Sequence, residues 1–354
     1  MKTASHILRI PSYPPELPHA ALLRMASNEN CYGPSPHVIE VMREILPQAN
    51  RYPNENGYAL REAIGHKLHV PVSQIILGNG STEIAELIAR TYLQLQDNAV
   101  TAEQTFMMYP IAVESTGASC RQIPNKDFGY DLQAILAALD GNTRVVYIAN
   151  PNNPTGLMIR KPEMDAFLAA VPSNIVVVLD EAYGEYVEDK DYPNGLYYVS
   201  EFPNVVVLRT FSKVHSLAGL RIRYGIAGDE IGSDVNRIRA PYNTNVVAQA
   251  AALAALEDMD HVQKSKEWNR RERFFLESKL HSLGVRFLPS TANFILLILP
   301  DTAAVSRQLA QRGVLVRAMQ RFHVPDGLRV TIGTHEENVS FLEALQDVLE
   351  RVHG

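Results

Sequence analysis

The 354-residue chain has two cysteines, Cys31 and Cys120, no long apolar run and no excess of basic residues. Each shortage excludes something. Two thiols cannot staple a small disulfide framework and read as free cysteines of a reducing compartment, so the cytoplasm is the expected location. A membrane-spanning helix needs about 20 consecutive apolar residues, and no such run exists. Residues 1–25 carry Pro11, Pro14, Pro15 and Pro18 where a secretory leader needs an unbroken apolar core. Lys and Arg number 33 against 39 Asp and Glu, a formal charge of −6, so a nucleic-acid backbone would not find the basic face it requires. Internal repeats and low-complexity tracts are absent, and no metal site is expected.

What is present fits a globular protein with more than one core: 46% of residues are hydrophobic and 20% charged. Apolar spacing predicts helices at 36–46 and 59–68, separated by the turn Pro53-Asn54-Glu55-Asn56-Gly57. Predicted strands at 74–77, 99–101, 119–123, 145–149, 175–179, 205–208 and 224–227 then alternate with predicted helices at 82–95, 108–116, 132–139, 161–170 and 228–238. This alternation predicts an α/β fold, a mixed, mostly parallel sheet covered by helices on both faces. The run 175–179 is apolar throughout, as a central strand would be. From Thr244 the rhythm changes. Helices at 246–256, 261–283, 303–312 and 336–352, with strands at 285–288, 293–297, 314–317 and 328–332, predict a smaller α+β domain. The expected division is an arm at 1–30 packing with the small domain, a large domain at 31–240 and a small one at 241–354.

Four short segments carry chemistry. Thr210-Phe211-Ser212-Lys213 ends a predicted strand and is followed eight residues after the lysine by Arg221. Asn153 lies in Asn152-Asn153-Pro154-Thr155-Gly156, and Asp180-Glu181-Ala182-Tyr183 follows the apolar run. Gly78-Asn79-Gly80-Ser81-Thr82 precedes a helix, whose free amides and dipole can hold an anion, although the segment also suits a plain strand-to-helix turn. Its missing third glycine separates it from a dinucleotide fingerprint.

In this order and spacing the segments resemble the cofactor site of the fold-type I pyridoxal-phosphate enzymes, and within them the class I/II aminotransferases of the histidinol-phosphate aminotransferase group. The resemblance runs from Ser27-Asn28-Glu29-Asn30 to the last helix. It implies that Lys213 carries pyridoxal phosphate as an imine and that Asp180 pairs with the ring nitrogen. Tyr183 and Asn153 would reach the phenolic oxygen. Gly80, Ser81, Thr82, Ser212 and Arg221 would hold the phosphate, the arginine through paired contacts. Phe106 matches the aromatic that stacks on the ring, with Tyr109 as the other candidate. Tyr52 would reach the phosphate of a neighbouring subunit, which implies a homodimer with shared sites. Arg329 resembles the arginine that grips a substrate carboxylate or phosphate, and Arg317 is a second candidate. From the residues alone, Asp180 also suits a helix N-cap, Asn153 a turn, and either arginine a solvated surface.

Three positions depart from the resembled pattern. Cys31 replaces proline, His215-Ser216 replace an aromatic and a glycine, and Arg223 replaces a glycine. His215 would be an extra acid/base or a packing residue. Arg223 would be a third anion contact or would face solvent. The resemblance implies an aminotransferase working on a small-molecule amino donor, of histidinol-phosphate or aromatic amino-acid type, and a 2-oxo acid such as 2-oxoglutarate. Another reaction of the same site, such as decarboxylation of a phosphorylated amino acid, is the alternative. A non-catalytic binder would have little reason to keep Lys213, Asp180 and Tyr183 together.

Overall fold

The computed structural model describes residues 2–12 and 22–353, with the side chains of Ser81 and of 351–353 outside the described set. The proline-rich arm therefore lies partly outside the described residues. After a two-residue strand β1 (Leu23–Arg24), seven strands form the main sheet: β2 (Ile75–Gly78), β3 (Asn98–Ala102), β4 (Ser119–Ile123), β5 (Thr143–Ala149), β6 (Val176–Asp180), β7 (Val205–Thr210) and β8 (Arg223–Ala227). Their spatial order is β2-β8-β7-β6-β5-β3-β4. Every pairing is parallel except those of β8, which runs against both β2 and β7.

That topology gathers the chemistry at one edge. The parallel strands β5, β6 and β7 end together, with Ala149 opposite Asp180 and Asp180 opposite Leu208. Antiparallel β8 begins where they end, so Arg223 stands opposite both Thr210 and Gly78. Ligands of open α/β sheets collect outside this carboxyl edge. All five residues of β6 are buried, matching its apolar run.

Helices close both faces. One face packs Gly80–Tyr92, Met108–Glu114 and Asp229–Ile238 into a core with Val145, Tyr147 and Val206. The other packs Pro36–Ile45, Tyr58–Leu68 and Lys161–Ala170 around Val146, Val177 and Val207. Local signals set several helix starts. Ser35 accepts from the Val38 amide with Pro36 at the first turn, and Asn245 and Asp258 cap the two helices that follow the sheet.

The smaller sheet has the order β12-β13-β10-β9, built from β9 (Arg286–Phe287), β10 (Phe294–Ile298), β12 (Arg317–Ala318) and β13 (Gly327–Thr331). Strand β11 (Val314–Leu315) leaves this sheet and pairs in parallel with β1. The stretch expected as one strand at 314–317 is thus two, split at Val316 because each half pairs with a different partner. β1 was expected only as part of an arm. Two residues carry no period, and only the partner β11 makes them a strand. A short helix, Gly195–Glu201, was also not anticipated; at seven residues it is too brief to show helical spacing.

The first helix beyond the expected division at 240 packs on the large sheet. The helix Val246–Glu257 buries Ala248, Ala251, Ala252 and Ala255 in the core of the large sheet, against Pro36–Ile45 and Tyr58–Leu68. The small core takes over only at Leu276 and Leu280, within the long helix Met259–Ser282, and includes Met25 from the arm. Small side chains let this helix pack closely, and a larger one would not fit. Ala252, fully buried, should therefore not tolerate leucine. Ala252→Leu is expected to lower stability by about 1–3 kcal/mol, read as a lower denaturant midpoint for the large unit with an unchanged small-unit transition.

Candidate active site

A cavity of about 340 Å³ opens at the carboxyl edge of the main sheet, walled on its far side by the small sheet. From the large unit it is lined by Thr82, Phe106, Asn153, Asp180, Tyr183 and Lys213. The small unit contributes Arg317 and Arg329. These residues singled out from sequence, with Tyr109 and Arg223, thus meet in one place although they are scattered along the chain from Thr82 to Arg329.

Lys213 leaves the end of β7 and points its Nζ at two backbone carbonyls, of Ser27 at 3.0 Å and Asn28 at 3.1 Å. Burial pushes its amine below the ordinary lysine value of 10.5; the oxygen of Tyr183 opposes this and the guanidinium of Arg329 reinforces it. Tyr183 lies beside it, with the ammonium 5.5 Å from the ring centre. The Tyr183 hydroxyl accepts from Asn28 Nδ2 at 2.9 Å and so keeps its own proton to donate. Asn28 was marked only as the start of the resemblance. Its left-handed backbone, φ 55°, is what lets one residue face Lys213, Tyr183 and Thr331 together.

Asp180, only 4% exposed, ends β6. Its Oδ2 accepts from the Tyr109 hydroxyl at 2.8 Å, and its Oδ1 accepts from the Ala182 amide at 3.0 Å and from Arg223 Nη2. No helix starts here, so the N-cap alternative fails. The solvent-facing alternative for Arg223 fails as well, because it is wholly buried against Asp180. Tyr109 is buried between Asp180 and Tyr147, on which it stacks at 5.0 Å, and burial beside a carboxylate raises its hydroxyl well above the ordinary range. Its ring is engaged there, although Tyr109 lines the cavity together with Phe106.

Asn153 accepts from Arg329 Nη1 through Oδ1, so its amide N–H groups face the opposite way. Arg329 Nη2 donates to the Ala26 carbonyl at 2.7 Å, and the guanidinium lies over Phe294, 5.4 Å from the ring centre. Strand register sets Arg317 directly opposite Arg329, so both cations share one face of the small sheet.

Of the expected anion cradle only Thr82 lines the cavity, and Arg221 is exposed. Gly80, at φ 79°, has the Arg221 guanidinium directly over it, and a methyl group at this position would overlap that guanidinium. Glu83 takes the Asn79 amide. The side chain of Ser81 lies outside the described residues. The Ser212 hydroxyl is buried without a hydrogen-bond partner among the described residues, and Ser212 lines a neighbouring cavity with Glu29, Cys31 and Gly333. Tyr52 is outside the cavity, 83% exposed and stacked on Tyr242 at 4.7 Å. His215 packs on Phe211 at 5.1 Å, away from the cavity, and burial lowers its imidazole to about 3, so the acid/base alternative fails. Ser216 instead meets the His261 ring at 3.3 Å.

The chain matches the family described as Aminotransferase class I and II over residues 20–345. It belongs to that family. A relative in Pseudomonas fluorescens (strain Pf0-1), histidinol-phosphate aminotransferase 2, is 45% identical over 337 residues, covering 95% of this chain and 91% of its own. Histidinol-phosphate aminotransferase 1 of Nitrosococcus oceani is 43% identical, covering 93% of this chain and 89% of its own. The crystal structure of the Sinorhizobium meliloti histidinol-phosphate aminotransferase in complex with pyridoxal-5'-phosphate superimposes with a TM-score of 0.87 at 26% identity, covering 93% and 91% of the two chains.

The protein is therefore a pyridoxal-phosphate-dependent aminotransferase with the fold-type I architecture and small-molecule substrates. Its residues fit the cofactor on their own terms. An amine with a lowered pKa, a buried carboxylate with an unused lone pair and a glycine cleared for an arginine are what an aldehyde, a pyridine nitrogen and a phosphate would use. Gly80→Ala should push Arg221 off the loop and strain a left-handed backbone, weakening cofactor binding by at least about tenfold. Equilibrium dialysis with a folded variant checks this, and unchanged affinity would place the phosphate elsewhere.

Proposed function

We propose that this enzyme moves the amino group of histidinol phosphate to a 2-oxo acid such as 2-oxoglutarate. The observation that carries the proposal is the pair Arg317 and Arg329, opposite each other across β12 and β13 and both on the cavity wall facing Lys213. Two planar guanidiniums on one face suit a phosphate monoester dianion, and they suit the second carboxylate of the acceptor when it takes its turn. The names of the relatives point the same way.

Bound pyridoxal phosphate supplies an electron-withdrawing ring that takes up the electron pair left when the substrate's α-carbon loses its proton. The remaining roles fall to the chain. Lys213 Nζ would hold the cofactor, and its amine would take the α-proton as general base and deliver it to the cofactor's C4′ carbon as general acid. A buried amine held below the ordinary lysine range is neutral over more of the pH scale and so is fit for both steps. Asp180 would face the ring nitrogen, Tyr183 and Asn153 the phenolic oxygen, and Phe106 the ring face. Gly80, Ser81, Thr82 and Arg221 would hold the phosphate, with Ser212 joining them only if its hydroxyl turns from the neighbouring cavity. The exposed Tyr52–Tyr242 stack supports a homodimer in which Tyr52 of each subunit serves the other's phosphate site. Residues 31–240 would form the cofactor-binding domain, with the arm at 1–30 and the small domain at 241–354 on the substrate side. The free thiols of Cys31 and Cys120 are consistent with a cytoplasmic location. Among the described residues no helix is long and apolar enough to cross a membrane.

A spectral screen of the loaded enzyme tests the substrate. Histidinol phosphate should bleach the bound-cofactor band and 2-oxoglutarate should restore it. A faster response to aromatic amino acids, or release of carbon dioxide without a 2-oxo acid, would replace the proposal. Lys213→Ala should lower kcat by about 10²–10⁴-fold or more. Arg329→Lys should raise KM for the phosphorylated amine by about 10- to 100-fold while kcat changes less. Because the Lys213 amine lies below 10.5, uptake of pyridoxal phosphate by the apoprotein should accelerate with rising pH and level off before that value. A rate still climbing past it would contradict the lowered pKa.

A further inference from the structure

Arg223 is the least expected side chain in the site. It stands where the resembled pattern has glycine, and it is among the largest side chains buried without any exposure. Its place in the sheet makes this possible: its cross-strand neighbours are Gly78 and Thr210, which leave room at the carboxyl edge. Nη2 is committed to Asp180. Nε and Nη1 are buried and have no hydrogen-bond partner among the described residues, although the side chain lines the cavity. A buried guanidinium needs a counter-charge, and here that is the carboxylate expected to face the ring nitrogen.

The lone pairs of Asp180 show what remains for the cofactor. Oδ1 already has two donors, Ala182 N and Arg223 Nη2, whereas Oδ2 has one, Tyr109 Oη. One acceptor direction is left, on Oδ2. Other charges nearby are otherwise engaged or lie to the side. Glu181 is paired with Arg209 at 2.9 Å, Tyr130 is bonded to Thr105 and Ala149, and Glu185 is buried with Oε2 unpartnered and its carboxyl raised by burial to about 7. Arg223 is therefore the cation that Asp180 answers to before any ligand arrives.

We propose that Arg223 is a positioning residue that shares the charge of Asp180, so that the ring nitrogen of bound pyridoxal phosphate holds its proton less tightly than it would against a lone carboxylate. The inference rests on the cofactor reading above and on Asp180 facing that nitrogen. A less firmly protonated ring is a weaker electron sink, so more of the control over proton transfer passes to Lys213. A positive charge a few ångströms away in a buried site changes a proton affinity by about tenfold or more.

The test is the ¹⁵N resonance of the ring nitrogen in enzyme loaded with ¹⁵N-labelled pyridoxal phosphate, followed on both sides of pH 7 so that titration of Glu185 is seen separately. Arg223→Met should shift the nitrogen toward the pyridinium position, with a proton affinity at least about tenfold higher, and Arg223→Lys should return it toward wild type. Should the methionine variant fail to fold, Arg223→Gln removes the charge while keeping a donor for Asp180 and carries the same expectation. A ring resonance in folded Met or Gln variants indistinguishable from wild type would overturn the proposal and leave Arg223 as an ion pair of the core. Failure of the wild-type protein to take up the labelled cofactor, or uptake indifferent to Lys213→Ala, would overturn the parent reading instead.

Discussion

The site is organised around an amine held against two backbone carbonyls at the junction of three chain segments. Lys213 extends from the main sheet, the carbonyls belong to Ser27 and Asn28 of the segment after the arm, and Asn293 of the small unit donates to that same Asn28 carbonyl at 3.1 Å. Desolvation disfavours a full ammonium at this point, and two carbonyls and a tyrosine oxygen repay only part of the loss. Such an amine is ready to react with an aldehyde. The same contacts hold the arm segment against the sheet, so the reactive group and the junction between the units depend on each other. Asn28 does this through its left-handed backbone, which turns both its amide and its carbonyl inward.

Charge in the site is arranged by depth. At the sheet edge, buried carboxylates each have a buried or half-buried arginine: Asp180 with Arg223, and Glu181 with Arg209. Closer to the mouth, Arg329 and Arg317 come from the opposite wall, where Arg329 donates to the Ala26 carbonyl and the Asn153 side chain. Guanidiniums present planar paired donors to an anion, so the two walls differ in kind: carboxylate–arginine pairs on the sheet side and two arginines side by side on the small-unit side.

Much of this was legible from local pattern. The parallel strands and their helices are readable because a strand covered on both faces is apolar along its length, as 175–179 is, and because the alternation of periods has few other solutions. Lys213, Asp180, Asn153 and Gly80 stand out because each sits in a short segment whose residue types are hard to explain otherwise in combination. Which core the alanine-rich helix Val246–Glu257 joins is not legible in its own residues, since only its neighbours at 36–45 and 58–68 decide that. β1 and the split at Val316 were missed for a related reason, since a two-residue strand exists only through its partner.

The order and spacing of a few polar residues at the ends of apolar strands carried the resemblance to a known family, and that resemblance implied the cofactor class and the fold. What lay beyond the linear pattern was the pairing between those ends. That Asp180 answers to Arg223 and Tyr109, that Asn28 bridges Lys213 and Tyr183, that Ser212 turns toward a neighbouring cavity and that His215 is packed away all depend on which strands lie side by side and in what direction. Antiparallel β8 is the clearest case. A residue at the start of a strand reads as solvent-facing from sequence, and reversal of direction within a parallel sheet carries it into the buried centre of the site.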